Sequence, residues 1–208
     1  MSNLAQEPTI KKRLPAAERR EQIFAVAREA FGERGYDGVT LDEIAAAAGV
    51  TKPVIYRHFG SKDDLYLALL ERHREDLPRF LTGLDPEQPF EDLVRAILDG
   101  WYAYADANGP TWRMLFRDAG GTAAIQEARA TMYEDARGVL AAFLRFRPEF
   151  DIPEDRVELT AELIRGALSN SVLLAQERPA LTRSDLVESG ARLIAGLADR
   201  SRPPKRSQ

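Results

Sequence analysis

The sequence predicts an all-α fold of about nine helices, and three observations carry that expectation. Apolar residues recur at helical spacing through most of the 208-residue chain, as in Ile23, Phe24, Ala27, Ala30 and Phe31. No segment holds the apolar/polar alternation that a half-buried strand requires. Capping residues, glycines and prolines break the helical runs at short intervals, as helix starts and stops do.

The elements follow in order. Pro15 opens a first helix to about Arg34, and Gly35 and Gly38 bracket the turn after it. Thr40 and Glu43 form a capping box for a second helix through Ala48, which Gly49 ends. Thr51 is the next N-cap, Pro53 lies in the first turn, and this third helix runs to Phe59 before Gly60. Ser61 and Asp64 cap a fourth helix, whose last turn Pro78 bends or ends. After the turn-rich TGLDPEQP come a fifth helix over 90–107 and a short sixth from Asn108-Gly-Pro to Asp118. Gly120-Gly121 breaks the chain before a seventh helix over 122–146, and RPEFDIP before an eighth over 154–176. Arg178-Pro179 precedes the ninth, over 184–199. The expected organisation is a basic disordered arm at 1–14, a three-helix head at 15–60, a helical body at 61–200 and a disordered tail at 201–208.

Within the head, residues 40–59 read as two short helices that pack across a tight turn. Leu41, Ile44, Ala45 and Ala48 form one apolar face, and Val50, Ile55 and Phe59 the other. Lys52, Pro53, Val54, Tyr56, Arg57 and His58 are left outward on the second helix. That combination describes a helix-turn-helix. An ordinary αα-corner satisfies the same caps and faces, so the pattern alone leaves both open. When such a helix enters a major groove, its N-terminal residues meet base edges. Lys52, Pro53 and Val54 are therefore candidate base contacts, with Arg57 one turn on.

Composition narrows the function classes. With no cysteine, the chain has no disulfide, thiolate nucleophile or cysteine-held metal. Two histidines, His58 and His73, do not make a histidine metal site, and no cofactor or metal is expected. No apolar run reaches membrane-spanning length, so a cytoplasmic location is expected. Net charge is −4, unevenly spread: residues 1–62 carry 10 Lys+Arg against 8 Asp+Glu, and 63–208 carry 19 against 25. A nucleic-acid binder needs a local basic surface rather than a basic chain, so this distribution permits that function without implying it. Lys11, Lys12 and Arg13 could extend the basic surface from the arm.

The run GVTKPVIYRHFGSKDDLYLALLE closely resembles the DNA-binding signature of the TetR family of bacterial transcriptional regulators. Ile44, Ala45, Ala48, Gly49 and Val50, then Tyr56, His58 and Phe59, then Ser61, Lys62 and Leu65 match its pattern over residues 16–72. The rest of the chain is similar in length and helicity alone. The resemblance implies a homodimeric, ligand-responsive regulator, a repressor in the first instance, acting on a near-palindromic operator. It also implies phosphate contacts at Thr40, Thr51, Tyr56, His58 and Lys62, whose hydroxyl, imidazole and ammonium groups suit that role. For Tyr56, packing within the head is the alternative.

A small-molecule pocket is further implied in the aromatic middle of the chain, with Trp101, Tyr104, Trp112, Phe116 and Met132 as candidates. A hydrophobic core accounts for the same stripe. Dimerisation is implied through the eighth and ninth helices, whose Ala161, Gly166, Ala167, Ser169, Ser171, Ala175, Gly190, Ala191, Ala195 and Gly196 permit close approach. Two recognition helices would then stand about 34–36 Å apart. The competing class is a helical enzyme using Glu127, Glu134, Asp135, Glu158 or Glu162. These carboxylates are expected instead on solvated faces, paired with Arg129, Arg137 and Arg165. A member of the family that binds protein in place of DNA is the third reading; Lys52, Arg57 and Lys62 argue against it.

Overall fold

The computed structural model describes residues 15–199. The basic arm and the C-terminal tail lie outside the described residues. Among those described, nine α-helices and no strands are present. They are α1 (Ala16–Arg34), α2 (Leu41–Ala47), α3 (Lys52–Phe59), α4 (Lys62–Asp76), α5 (Phe90–Ala107), α6 (Gly109–Phe116), α7 (Ala123–Phe146), α8 (Glu154–Glu177) and α9 (Arg183–Asp199).

Local chemistry explains most boundaries. The Thr40 hydroxyl accepts the Glu43 N–H at 3.3 Å, and the Glu43 carboxylate accepts the Thr40 N–H at 2.7 Å, so the capping box of α2 is complete. Gly49 and Gly60 end α2 and α3 at φ of 61° and 67°, where a Cβ would be strained. Ser61 caps α4 by accepting the Asp64 N–H at 2.9 Å. Pro78 converts the end of α4 into a 3-10 turn, Leu77–Leu81, because it cannot donate the next α-helical bond. Thr51 and Asn108 occupy the N-cap positions of α3 and α6 without a side-chain bond to the helix, and Asn108 Nδ2 instead donates back to the Tyr104 carbonyl at 2.9 Å.

Two apolar cores form. The first gathers Ile23, Phe24, Phe31, Ile44, Ile55 and Phe59 of the head with Leu65, Tyr66 and Leu70 of α4, and is completed by Met114, Leu115 and Ile125. Apolar packing therefore continues across residue 60 without a gap. The second core joins α5 to α9, with Leu98, Tyr102, Trp112, Leu144, Ile164 and Ile194 at its centre. Helix α5 packs on α9, α7 on α8, and α1 on α6.

The small residues of α8 and α9 divide between two duties. Ala161, Ser169, Gly190 and Ala191 are buried within the chain, where a Cβ on Gly190 would stand 3.1 Å from Leu98. Gly166, Ala167 and Gly196 face open space or solvent. Large apolar side chains of α8 and α9 also point outward, including Leu163 at 64% exposure and Leu193 at 50%.

Candidate nucleic-acid interface

Side chains of α1 hold the two short helices of the head by their C-terminal carbonyls, which have no partner within a helix. Gln22 Nε2 donates to the Ala48 carbonyl at the end of α2, at 2.9 Å. Arg20 donates to the His58 carbonyl in the last turn of α3 at 3.1 Å, and its guanidinium lies 4.8 and 4.5 Å from the Phe24 and Phe59 ring centroids. Below these clamps, Ile55 and Phe59 are buried, so the angle between α2 and α3 is fixed from behind.

The outward face is as expected in kind. Pro53, Tyr56 and Arg57 are exposed, Tyr56 at 46%. Val54 and His58 are half-buried. Lys52 is not free: its ammonium pairs with Asp42 of α2 at 2.8 Å. Hydrogen bonding to that carboxylate raises the Lys52 pKa, so the side chain stays charged. Thr40 spends its hydroxyl in the capping box, and the Arg34 and Thr40 hydrogen bonds hold Glu43 down to about 2. Lys62 lies with its ammonium 4.0 Å from the Tyr36 ring centroid, a cation–π contact at the edge of the surface. Thr51 is exposed.

Sequence reasoning missed Arg19. It shares a cleft of about 400 Å³ with Val54, Arg57 and His58, between the start of α1 and α3. The Arg19-Arg20 pair in the opening turn of α1 was the available signal. Tyr36 packs against the first core, stacking on Phe31 and meeting Tyr66 edge-on at the junction with α4. Burial, then the hydrogen bond to Asp63, pushes its phenol up to about 12.

Among the described clefts, Tyr104 and Met132 border two different ones. Trp112 is 1% exposed and stands in the second core, 4.9 Å from the Trp101 ring and 5.2 Å from Phe116. Trp101 and Phe116 pack against the same core. Tyr104 borders a cleft of about 320 Å³ between α1, α4 and α5, and Met132 one of about 430 Å³ between α4 and α7. Hydrophobic spacing cannot separate a core from a pocket, because both need the same side chains.

Of the five candidate carboxylates, Asp135, Glu158 and Glu162 stand in ion pairs, and Glu127 and Glu134 are exposed. Arg165 binds Glu162, Arg145 binds Glu158 at 2.9 Å and Arg74 binds Asp135 at 2.8 Å. Arg129, expected on the same solvated face, is instead turned inward onto Asp118 at 2.9 Å. No cluster of three or more candidate ligands could hold a metal among the described residues, and no described helix is long and apolar enough to cross a membrane.

Helix α3 on its clamped scaffold defines a helix-turn-helix head on an all-α body. The family model for bacterial regulatory proteins of the tetR family matches residues 23–69. The chain is similar to the transcriptional activator FasR of Mycolicibacterium smegmatis, 38% identical over 107 residues, covering 51% of this chain and 49% of that one. It is also 38% identical over 86 residues to the repressor BepR of Brucella suis, covering 40% and 41%. The chain spans about half the length of these curated relatives or less. Among solved structures, a TetR-like regulator from Rhodococcus sp. RHA1 superposes with a TM-score of 0.72 at 25% identity, over 90% of this chain and 97% of the other. A tetR-family regulator from Streptomyces coelicolor gives 0.68 at 28%, over 88% and 82%. Residues 23–69 thus match the DNA-binding domain of the tetR family, and the chain as a whole shares the fold of these solved TetR-like regulators.

Proposed function

We propose that this protein is a DNA-binding transcriptional regulator, not an enzyme, acting as a cytoplasmic homodimer. We read it as a repressor that a small molecule releases from a near-palindromic operator. Residues 15–60 serve as the DNA-binding unit and 61–200 as the regulatory and dimerisation unit. The observation that carries the reading is α3 itself. Its apolar side is locked into the core, its outer side offers Pro53, Tyr56 and Arg57 to solvent, and no side chain caps its first turn. Within that turn Pro53 has no N–H and the Val54 N–H donates to the Thr51 carbonyl at 2.9 Å, so the helix meets DNA through its side chains.

In this arrangement Lys52, Pro53, Val54 and Arg57 contact base edges, while Thr40, Thr51, Tyr56, His58 and Lys62 meet the backbone. Arg19 joins the phosphate contacts through the cleft it shares with Arg57. Self-association uses α8 and α9, supported by the outward Leu163, Gly166 and Leu193. Tyr104 and Met132, which border open clefts, are the effector contacts retained from the aromatic set. The similarity to an activator over the longer aligned stretch makes activation the second reading of the regulatory sign.

Selection of bound sequences from random duplex DNA, followed by salt-titrated gel shifts, tests the function. Arg57→Ala should cost ~1–3 kcal/mol at the selected site and relax the preference at one base pair. Lys62→Ala should weaken all sequences alike and lower the salt slope by about one unit. Failure of the parent chain to enrich any sequence would overturn the reading, and a reporter gene behind the selected site decides the sign.

A further inference from the structure

One buried charge belongs to no part of the DNA-reading surface. Arg129 of α7 is 3% exposed. Its guanidinium donates to Asp118 Oδ2 at 2.9 Å, to the Gly120 carbonyl at 2.7 Å and to the Tyr66 hydroxyl of α4. Asp118, just after α6, accepts the backbone N–H of Tyr36 on the same oxygen at 2.7 Å, and the Tyr66 hydroxyl lies 3.0 Å from it. Tyr36 stands in the turn between α1 and α2, and its hydroxyl donates to Asp63 at the start of α4. The other Asp63 oxygen accepts the Thr122 hydroxyl, before α7, at 3.0 Å. Close backbone approach brings these pieces together, since a Cβ on Gly32 of α1 would stand 2.6 Å from the Pro110 carbonyl oxygen.

The physical role of such a cluster is directional. Apolar contacts between the head and α4, α6 and α7 stabilise the junction without choosing an angle, because hydrophobic burial is non-directional. A buried ion pair adds little net stability over an apolar pair of the same volume, yet its hydrogen bonds tolerate only small angular error. Asp118 reaches the head's first turn and Arg129 reaches α4 and α7, so this one pair references the head to three body elements.

We propose that the Asp118–Arg129 pair is a positioning device: it fixes the orientation of the head on the body, and through it the half-site spacing that two copies of this chain can occupy. The inference rests on the DNA-binding reading above. The pair touches no DNA and acts only through the angle at which each α3 is presented. Two rigidly referenced heads match one separation of half-sites, whereas two loosely held heads match several.

The chain has no cysteine, so Ala46→Cys on α2 and Glu134→Cys on α7, both exposed, accept spin labels without background. Diluting labelled protein into an excess of unlabelled protein gives the head-to-body distance within one chain. The comparison variant is Asp118→Leu with Arg129→Met, which leaves no unpaired charge in the interior. Tyr66→Phe, which removes one hydroxyl, is the milder second variant. In the folded double variant, the single narrow distance should broaden or divide. Across selected operators whose half-sites are moved by single base pairs, the parent's steep spacing preference should be lost. Tyr66→Phe should shift both readouts the same way and less far. A folded double variant with the parent's narrow distance and steep preference overturns the proposal. If the double variant does not fold, the same two readouts on Tyr66→Phe decide. Should the parent chain bind no DNA, the regulator reading falls separately, and the distance readout still decides whether the pair sets the orientation.

Discussion

Lys52, proposed above to contact bases, is held by Asp42 at 2.8 Å in the free protein. Both side chains are largely solvated, so the pair is weak and a phosphate or guanine oxygen can displace it. Asp42 nonetheless opposes binding twice, by occupying the cation and by adding negative charge beside the DNA. Asp42→Asn should therefore tighten DNA binding by about two- to fivefold, the scale of an exposed ion pair. The gain should shrink as salt rises, because exposed charges are screened. Fluorescence anisotropy at low and high salt checks both. A variant that binds more weakly would place Asp42 among the groups that accept from the DNA or organise α2 for it. None of this pairing was visible in the sequence, because Asp42 and Lys52 are ten residues apart on different helices and meet only through the turn.

Elements were far more legible than partners. Pro89 before α5, Pro110 in the first turn of α6 and Pro153 before α8 each mark a boundary through backbone restriction, a property of the residue itself. Their helices accordingly begin where those residues stand. Arg129 was misplaced for the opposite reason. A helical charge pattern treats every cation as solvated, and only Asp118, in the loop before α7, turns it inward.

The small residues of α8 blurred in the same way, since glycine or alanine suits an internal contact and an interface equally. The open side of α8 carries Gly166 and Ala167 between the outward Leu163 and Leu174. Ala167→Arg should bury an unpaired charge at a contact between two copies and split the dimer. Folding should survive, because Ala167 is exposed within the single chain. Sedimentation of the folded variant checks it, and an unchanged dimer would move the interface off α8.

At the scale of the whole molecule, His73 records how tightly α4, α5 and α6 close. Its Nδ1 lies 2.7 Å from the Tyr104 hydroxyl, and the Trp112 ring meets it edge-on at 5.8 Å. Glu21, Arg28, Arg72 and Asp76 share the adjoining cleft. Burial drives its pKa down to about 4 from 6.5, with Asp76 only partly offsetting this. Between those values the unfolded chain binds a proton that the folded chain excludes. The stability is thus complete above pH 6.5 and declines as pH falls towards 4, by up to roughly 3 kcal/mol. Denaturant unfolding from neutral to mildly acid pH should show this slope, and His73→Gln should flatten it. Equal slopes in both proteins would assign the acid sensitivity to other groups.

The first core has a further consequence, for the order in which the chain is made. Met114, Leu115 and Ile125 close a core whose other members begin at Ile23. A ribosome releases residues 15–60 long before it has built α6 and α7, and in that interval the head lacks the side chains that seal its floor. Domains ordinarily fold as units while synthesis proceeds from the N-terminus. Here the earliest segment must wait for contacts about a hundred residues downstream, and loop closure of that length is slow. A nascent chain therefore completes the core beneath α3 only after α7 has emerged, and a message cut short within the body releases a head with an open underside.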